Sequence, residues 1–190
     1  MPTNMMQKLN LELKTSDSLT HSFFPLMEDI NLTVAKQAVE WIFEANFAEE
    51  RPSLLNLLIT SPGGDLTAAF ALIDVIRGSA IPVRTIGLGQ VSSAGLLVFT
   101  AGTKGMRVLT PNTSVLSHQY SWGAFGKEHE LFATVKEFDL TTKKMIAHYK
   151  KCTGLSEAKI REVLLPPQDI WLSAIEAKKL GLCDDIKDLS

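Results

Sequence analysis

The chain has 190 residues, 45% of them hydrophobic and 21% charged, with 19 basic against 21 acidic side chains for a net charge of −2. That length suits one domain burying about 70% of its unfolded surface, and the even charge balance leaves no basic stripe for nucleic acid. Met1 to Thr20 is polar, with no apolar stretch fit for a signal peptide, and the longest apolar run, Ala94 to Ala101, is too short to cross a bilayer; the expectation is a soluble, cytoplasmic protein with no membrane or nucleic-acid partner.

In chain order, a short segment 1–20, expected to be mobile, precedes a strand from His21 to Leu26. Asn31 is a suitable N-cap for a helix with Leu32, Ala35, Val39, Ile42 and Phe43 on one face, a period of 3.6 residues. Leu54 to Thr60 is a nearly unbroken apolar run, as in a strand covered on both faces, and it ends in the breaker cluster Ser61-Pro62-Gly63-Gly64. A second helix, Leu66 to Ile76, packs through Ala69, Leu72, Ile73 and Ile76. Pro82 to Leu88 reads as a strand, Ala94 to Ala101 as a buried helix, and Arg107–Leu109 and Ser114–Leu116 as two short strands. Gly123 and Gly126 mark a loop before a long amphipathic helix, about His129 to Cys152, stopped by Gly154. Leu155–Leu164 and Ser173–Leu180 are shorter helices separated by Pro166-Pro167, and a last strand surrounds Cys183 to Ile186. Strands and helices in alternation argue an α/β fold with a largely parallel sheet and right-handed crossovers. Cys152 and Cys183 are far apart and neither has a ligand partner at metal-binding spacing, so both read as structural thiols in a reducing compartment. No metal or cofactor is implied.

Three breaker sites can carry chemistry. Ser61-Pro62-Gly63-Gly64 offers unobstructed backbone N–H groups at a strand end. Gly89-Gln90-Val91-Ser92-Ser93-Ala94-Gly95 places a serine where a strand gives way to a helix N-terminus, and His118 ends the strand of Val115-Leu116-Ser117-His118-Gln119. A serine hydroxyl becomes a useful nucleophile only when a positioned base takes its proton, and free amides at a helix start favour a developing negative charge. Serine, histidine and two sets of amides are the parts of an acyl-transfer site with an oxyanion hole. Ser92 is the rival nucleophile, His118 has a reading as a core histidine, and Asp169 has one as an N-cap near Pro166-Pro167. His21, His129 and His148 match no motif and read as surface or packing residues; Trp41, Trp122 and Trp171 read as core or interface.

Four segments in this order resemble the ClpP family, the proteolytic subunit of the ATP-dependent Clp protease. They are Ile59-Thr60-Ser61-Pro62-Gly63-Gly64, Gly89 to Gly95, Ser117-His118-Gln119, and Gln168-Asp169-Ile170-Trp171-Leu172-Ser173-Ala174 followed by Glu176-Ala177 and Gly181-Leu182. The resemblance covers about residues 21 to 188. It implies a crotonase-like β-β-α superhelix, with residues 21–190 as one peptidase domain and a handle region at about 123–152. It implies a serine endopeptidase with Ser93 as nucleophile, His118 as base and then acid, Asp169 as its orienter, and the amides of Gly64 and Ala94 as oxyanion hole. It also implies a homo-oligomer of stacked heptameric rings, a tetradecamer, acting on unfolded polypeptides or peptides beside a Clp-type unfoldase ATPase. The apolar positions Leu131, Val135, Phe138, Met145 and Tyr149 of the long helix exceed what a lone subunit should expose.

Three features depart from the family pattern. Ala94 stands where methionine is usual after the nucleophile, Pro167 and Gln168 stand where an acidic–basic pair often precedes the aspartate, and the segment before the first strand lacks a clear counterpart of the ATPase-docking helix. A non-catalytic scaffold or regulatory subunit of a mixed ring is the alternative reading. A crotonase-fold enzyme acting on acyl-CoA thioesters is a third, and the serine–histidine pair speaks against it.

Overall fold

The computed structural model describes residues 20–189; the expectation for the first segment lies, apart from Thr20, outside the described residues. The strands are β1 (His21–Leu26), β2 (Leu54–Ser61), β3 (Val83–Ser92), β4 (Arg107–Leu109), β5 (Ser114–Ser117), β6 (Ile170–Ser173) and β7 (Asp185–Ile186). The helices are α1 (Leu32–Phe47), α2 (Leu66–Gly78), α3 (Ala94–Thr100), α4 (Glu128–Thr153), α5 (Glu157–Val163) and α6 (Ala174–Lys179). Among the described residues no helix is long and apolar enough to cross a membrane.

β1, β2, β3, β4 and β7 lie side by side in that order, all parallel. β2 is buried along almost its whole length, as its apolar run requires of a strand covered on both faces. β3 is the hub of the sheet and forks. Its first half pairs with β4 through Thr85–Gly87, its second half with β5 through Gln90–Ser92, and the β2–β3 register shifts between Ile59 and Ser61. Among the described residues the single antiparallel pair is β5 with β6. All seven residues of α3 are buried, which explains why it reads as uniformly apolar. Asn31 and Asp65 cap α1 and α2 by accepting from Val34 N and Ala68 N at 3.0 and 2.6 Å.

Three details differ from the sequence reading. α1 buries Val34, Ala35, Ala38, Ile42 and Ala45 and leaves Leu32 and Phe43 exposed, a face rotated from the expected one. The alanines permit close approach to the sheet and to α2, so the larger side chains turn outward. β6 falls where only a break was expected. Its four residues are set by pairing with β5, a long-range contact with no local periodicity. In α4, Met145 and Tyr149 are core residues at 4% and 1% exposure, whereas Leu131, Phe132, Val135 and Leu140 are exposed. The apolar excess therefore belongs to the first half of that helix, and its second half packs on the domain. Of the tryptophans read as core or interface, Trp41 packs against the core and donates to Ser22 Oγ at 2.8 Å, while Trp122 and Trp171 are exposed on the lone subunit.

Arg107 is buried and clamps the far edge of the sheet. Its Nε and Nη2 donate to the two carboxylate oxygens of Asp184 at 2.8 and 2.6 Å, and the backbone N–H groups of Gly105 and Arg107 donate to the same carboxylate. Burial opposes ionisation of Asp184, but the hydrogen bonds from Arg107 outweigh it and hold the carboxyl down at about 2.

Candidate active site

The fork in β3 brings three chain segments to one end of the sheet. β2 ends at Ser61 and runs into Pro62-Gly63-Gly64, β3 ends at Ser92, and β5 ends at Ser117. Ser93, between β3 and α3, has φ 53° and ψ −121°, and it is the one non-glycine residue with positive φ among the described residues. Such a conformation costs about 1–3 kcal/mol and persists only where the surroundings hold it. Here they do: Ser93 N donates to Leu116 O at 3.0 Å, and Ser93 O accepts from Leu96 N and Leu97 N. The turn throws the Ser93 hydroxyl out of the sheet, while the neighbouring Ser92 hydroxyl is fully buried and accepts from Gln90 Nε2 at 3.0 Å. Gly63 makes room for this turn, since a Cβ there would lie 2.7 Å from Ser93 Cβ.

The antiparallel ladder places the other two groups. Ser117 pairs with Ile170 in the β5–β6 register, so the next residue on each strand, His118 and Asp169, face each other just past the end of the ladder. His118 Nδ1 lies 2.9 Å from Asp169 Oδ1, and His118 Nε2 lies 2.9 Å from Ser93 Oγ. An ionised carboxylate only accepts, so Nδ1 carries the ring proton and donates to Asp169. Nε2 is then left with a lone pair that accepts from the Ser93 hydroxyl. Asp169 starts no helix; the cap of α6 is Ser173, which forms a capping box with Glu176. The Asp169 side chain is 61% exposed and that of His118 23%.

Backbone donors stand beside this chain of hydrogen bonds. Gly64, at φ 140°, bridges to Ile30, and a Cβ on it would lie 2.2 Å from Ile30 O; only glycine fits there. Among the described residues neither Gly64 N nor Ala94 N donates to a protein acceptor. Both Gly64 and Ser93 border an open cleft of about 520 Å³ between the start of α2 and α4.

The cleft also holds residues that the sequence reading did not single out. Phe70 comes from α2, Tyr120 from the segment after β5, and Glu137, Thr141 and Lys144 from one face of α4. Thr141 Oγ1 donates to Glu137 Oε1, and Lys144 Nζ sits 5.8 Å from the centre of the Phe70 ring. Burial, and then the nearby Glu137 carboxylate, raise the Tyr120 hydroxyl above its ordinary range. The signal available was the i, i+4, i+7 spacing of polar residues at 137, 141 and 144, which puts them on one helix face.

A hydroxyl, an imidazole and a carboxylate hydrogen-bonded in that order, at a strained strand-to-helix turn with free amides beside it, form a Ser–His–Asp constellation on a parallel α/β sheet. Residues 13–189 match the family model described as Clp protease, and the chain belongs to that family. Its mixed α/β architecture with a parallel sheet agrees with the ClpP/crotonase fold.

Proposed function

We propose that the chain is a serine endopeptidase subunit that hydrolyses peptide bonds of unfolded polypeptides and peptides inside a self-compartmentalising assembly. The observation that carries this reading is the continuous chain of polar contacts Asp169–His118–Ser93 at 2.9 Å per link. Ser93 Oγ attacks the scissile carbonyl while His118 Nε2 takes its proton. The tetrahedral oxyanion is held by Gly64 N and Ala94 N. His118 then gives its proton to the leaving amine, and a water activated by the same ring releases the acyl group. Asp169 keeps the ring in register and stabilises the imidazolium. Ala94 supplies its amide as well as a methionine would, since the donor is backbone.

Sequestration in rings gives such a site its selectivity, because an open cleft with little shape preference must be kept from folded proteins. The exposed apolar residues Leu131, Phe132 and Val135 on the first half of α4 suit a contact between copies of the chain, and we assign the 123–152 handle that role, pairing stacked heptameric rings. The test is turnover of a short fluorogenic peptide by the purified assembly beside its Ser93→Ala variant. Loss of turnover with assembly retained supports the reading. Turnover unchanged by Ser93→Ala would overturn Ser93 as the nucleophile, and no turnover in the wild type favours the non-catalytic scaffold.

A further inference from the structure

A second cleft, of about 250 Å³, opens where the last turn of α2, the segment between α3 and β4, and the last turn of α4 meet. Among the described residues four cationic side chains line it, Arg77, Lys104, Arg107 and Lys151, and no acidic one does. Arg107 is buried and paired with Asp184, and Lys104 Nζ lies 3.5 Å from the same carboxylate. Arg77 and Lys151 make no ion pair among the described residues. Four positive charges thus share one carboxylate, in a chain whose net charge is −2. The C-termini of α2, α3 and α4 all end at this cleft and offset part of the excess, at about half a charge each, so that roughly one to two positive charges remain.

Arg77 is also fixed. Its Nη2 donates to His148 Nδ1 at 2.9 Å and lies 3.5 Å from Cys152 Sγ. A guanidinium never accepts, so the His148 ring proton must sit on Nε2, which donates to the buried Thr100 hydroxyl at 2.8 Å. Burial first, then the adjacent Arg77, push His148 down to about 3. A neutral ring therefore orients the guanidinium without cancelling its charge, and leaves the rest of its donor fork unpaired among the described residues. A preset guanidinium fork with ammonium groups around it recognises phosphate oxygens well, and the volume suits a phosphate or diphosphate group better than a whole nucleotide.

We infer that this cleft binds a phosphate group, either as the free inorganic anion or on a small molecule. The site is separate from Ser93 and does not depend on the peptidase reading. The experiment is thermal unfolding of the full chain at constant ionic strength, titrating orthophosphate, pyrophosphate or glycerol 3-phosphate against chloride. It is repeated for Arg77→Gln and Lys151→Gln, with backbone amide shifts followed in the wild type. A saturating rise in midpoint with at least one phosphate probe is expected, with shifts centred on residues 102–105. The dissociation constant should weaken about tenfold in Arg77→Gln and several-fold in Lys151→Gln. A response to orthophosphate would point to the free anion, and one to glycerol 3-phosphate alone to a phosphorylated small molecule. If Arg77→Gln does not fold, the exposed Lys151→Gln carries the test. Equal responses to phosphate and chloride, or both variants responding as the wild type does, would mean an adventitious ion only and would overturn the inference.

Discussion

Replacing Asp169 by asparagine separates an orienting carboxylate from a bystander. The side-chain amide introduced by Asp169→Asn would present N–H to His118 Nδ1, and that nitrogen would then have to accept. The ring proton would move to Nε2, pointing at Ser93 Oγ, and the hydroxyl would lose its base. In a triad with a buried aspartate this change lowers turnover by roughly 10⁴-fold. Here the carboxylate is 61% exposed, so water screens its contribution to the imidazolium. Two unit charges about 4 Å apart interact by about 1 kcal/mol in water and about 4 kcal/mol at an effective dielectric near 20. At about 1.4 kcal/mol per factor of ten, the expected loss in kcat/KM lies between roughly 5-fold and 10³-fold. An exposed position away from the core should leave stability within about 0.5 kcal/mol of wild type. The assay is hydrolysis of a short fluorogenic peptide at neutral pH, with circular dichroism to establish that the variant is folded. A folded Asp169→Asn protein with a rate within twofold of wild type would refute the orienting role.

Three further outcomes follow from the packing. His148 has a folded-state value of about 3 against 6.5 for the free side chain, so only the unfolded chain takes up this proton between those values. Stability from this group is complete above pH 6.5 and falls by about 1.4 kcal/mol per pH unit as the pH drops toward 3; urea midpoints against pH should show a shallower slope in His148→Gln, and an unchanged slope would contradict the assignment. Replacing Asp184 by alanine leaves Arg107 charged and buried, at an expected cost of about 3–5 kcal/mol, read from urea unfolding; a change below 1 kcal/mol would mean that water reaches the pair. A glutamate at Phe132, which is 68% exposed, should lower the assembly state in light scattering while leaving the helical circular dichroism signal of the subunit intact, and an unaltered assembly would remove this face of α4 from the interface.

Much of this arrangement is legible in the sequence because local rules and the fold agree there. The apolar run of β2, the cap Asn31, and the glycines at 63 and 64 each state a backbone requirement that the structure meets at that position. The spacing of Ser93 and His118 is legible too, since both sit one residue beyond a strand end. Asp169 was harder. What sets it opposite His118 is the β5–β6 register, and β6 has only four residues with a proline break on one side and a capping box on the other. The orientation of α1 was illegible for a related reason: its sequence supports two overlapping apolar faces, and alanine packing against the sheet and α2 selects the less hydrophobic one. The Arg77–His148–Thr100 chain joins three helices through contacts 48 and 71 residues apart in sequence, and His148 gives no local sign of it.

The central claim is that Ser93 is an activated nucleophile, and active-site labelling with a fluorophosphonate followed by peptide mapping tests it most directly. A single adduct on Ser93 is expected, absent in Ser93→Ala and strongly slowed in His118→Ala. No adduct in the folded, assembled protein, or an adduct on Ser92, would contradict the account.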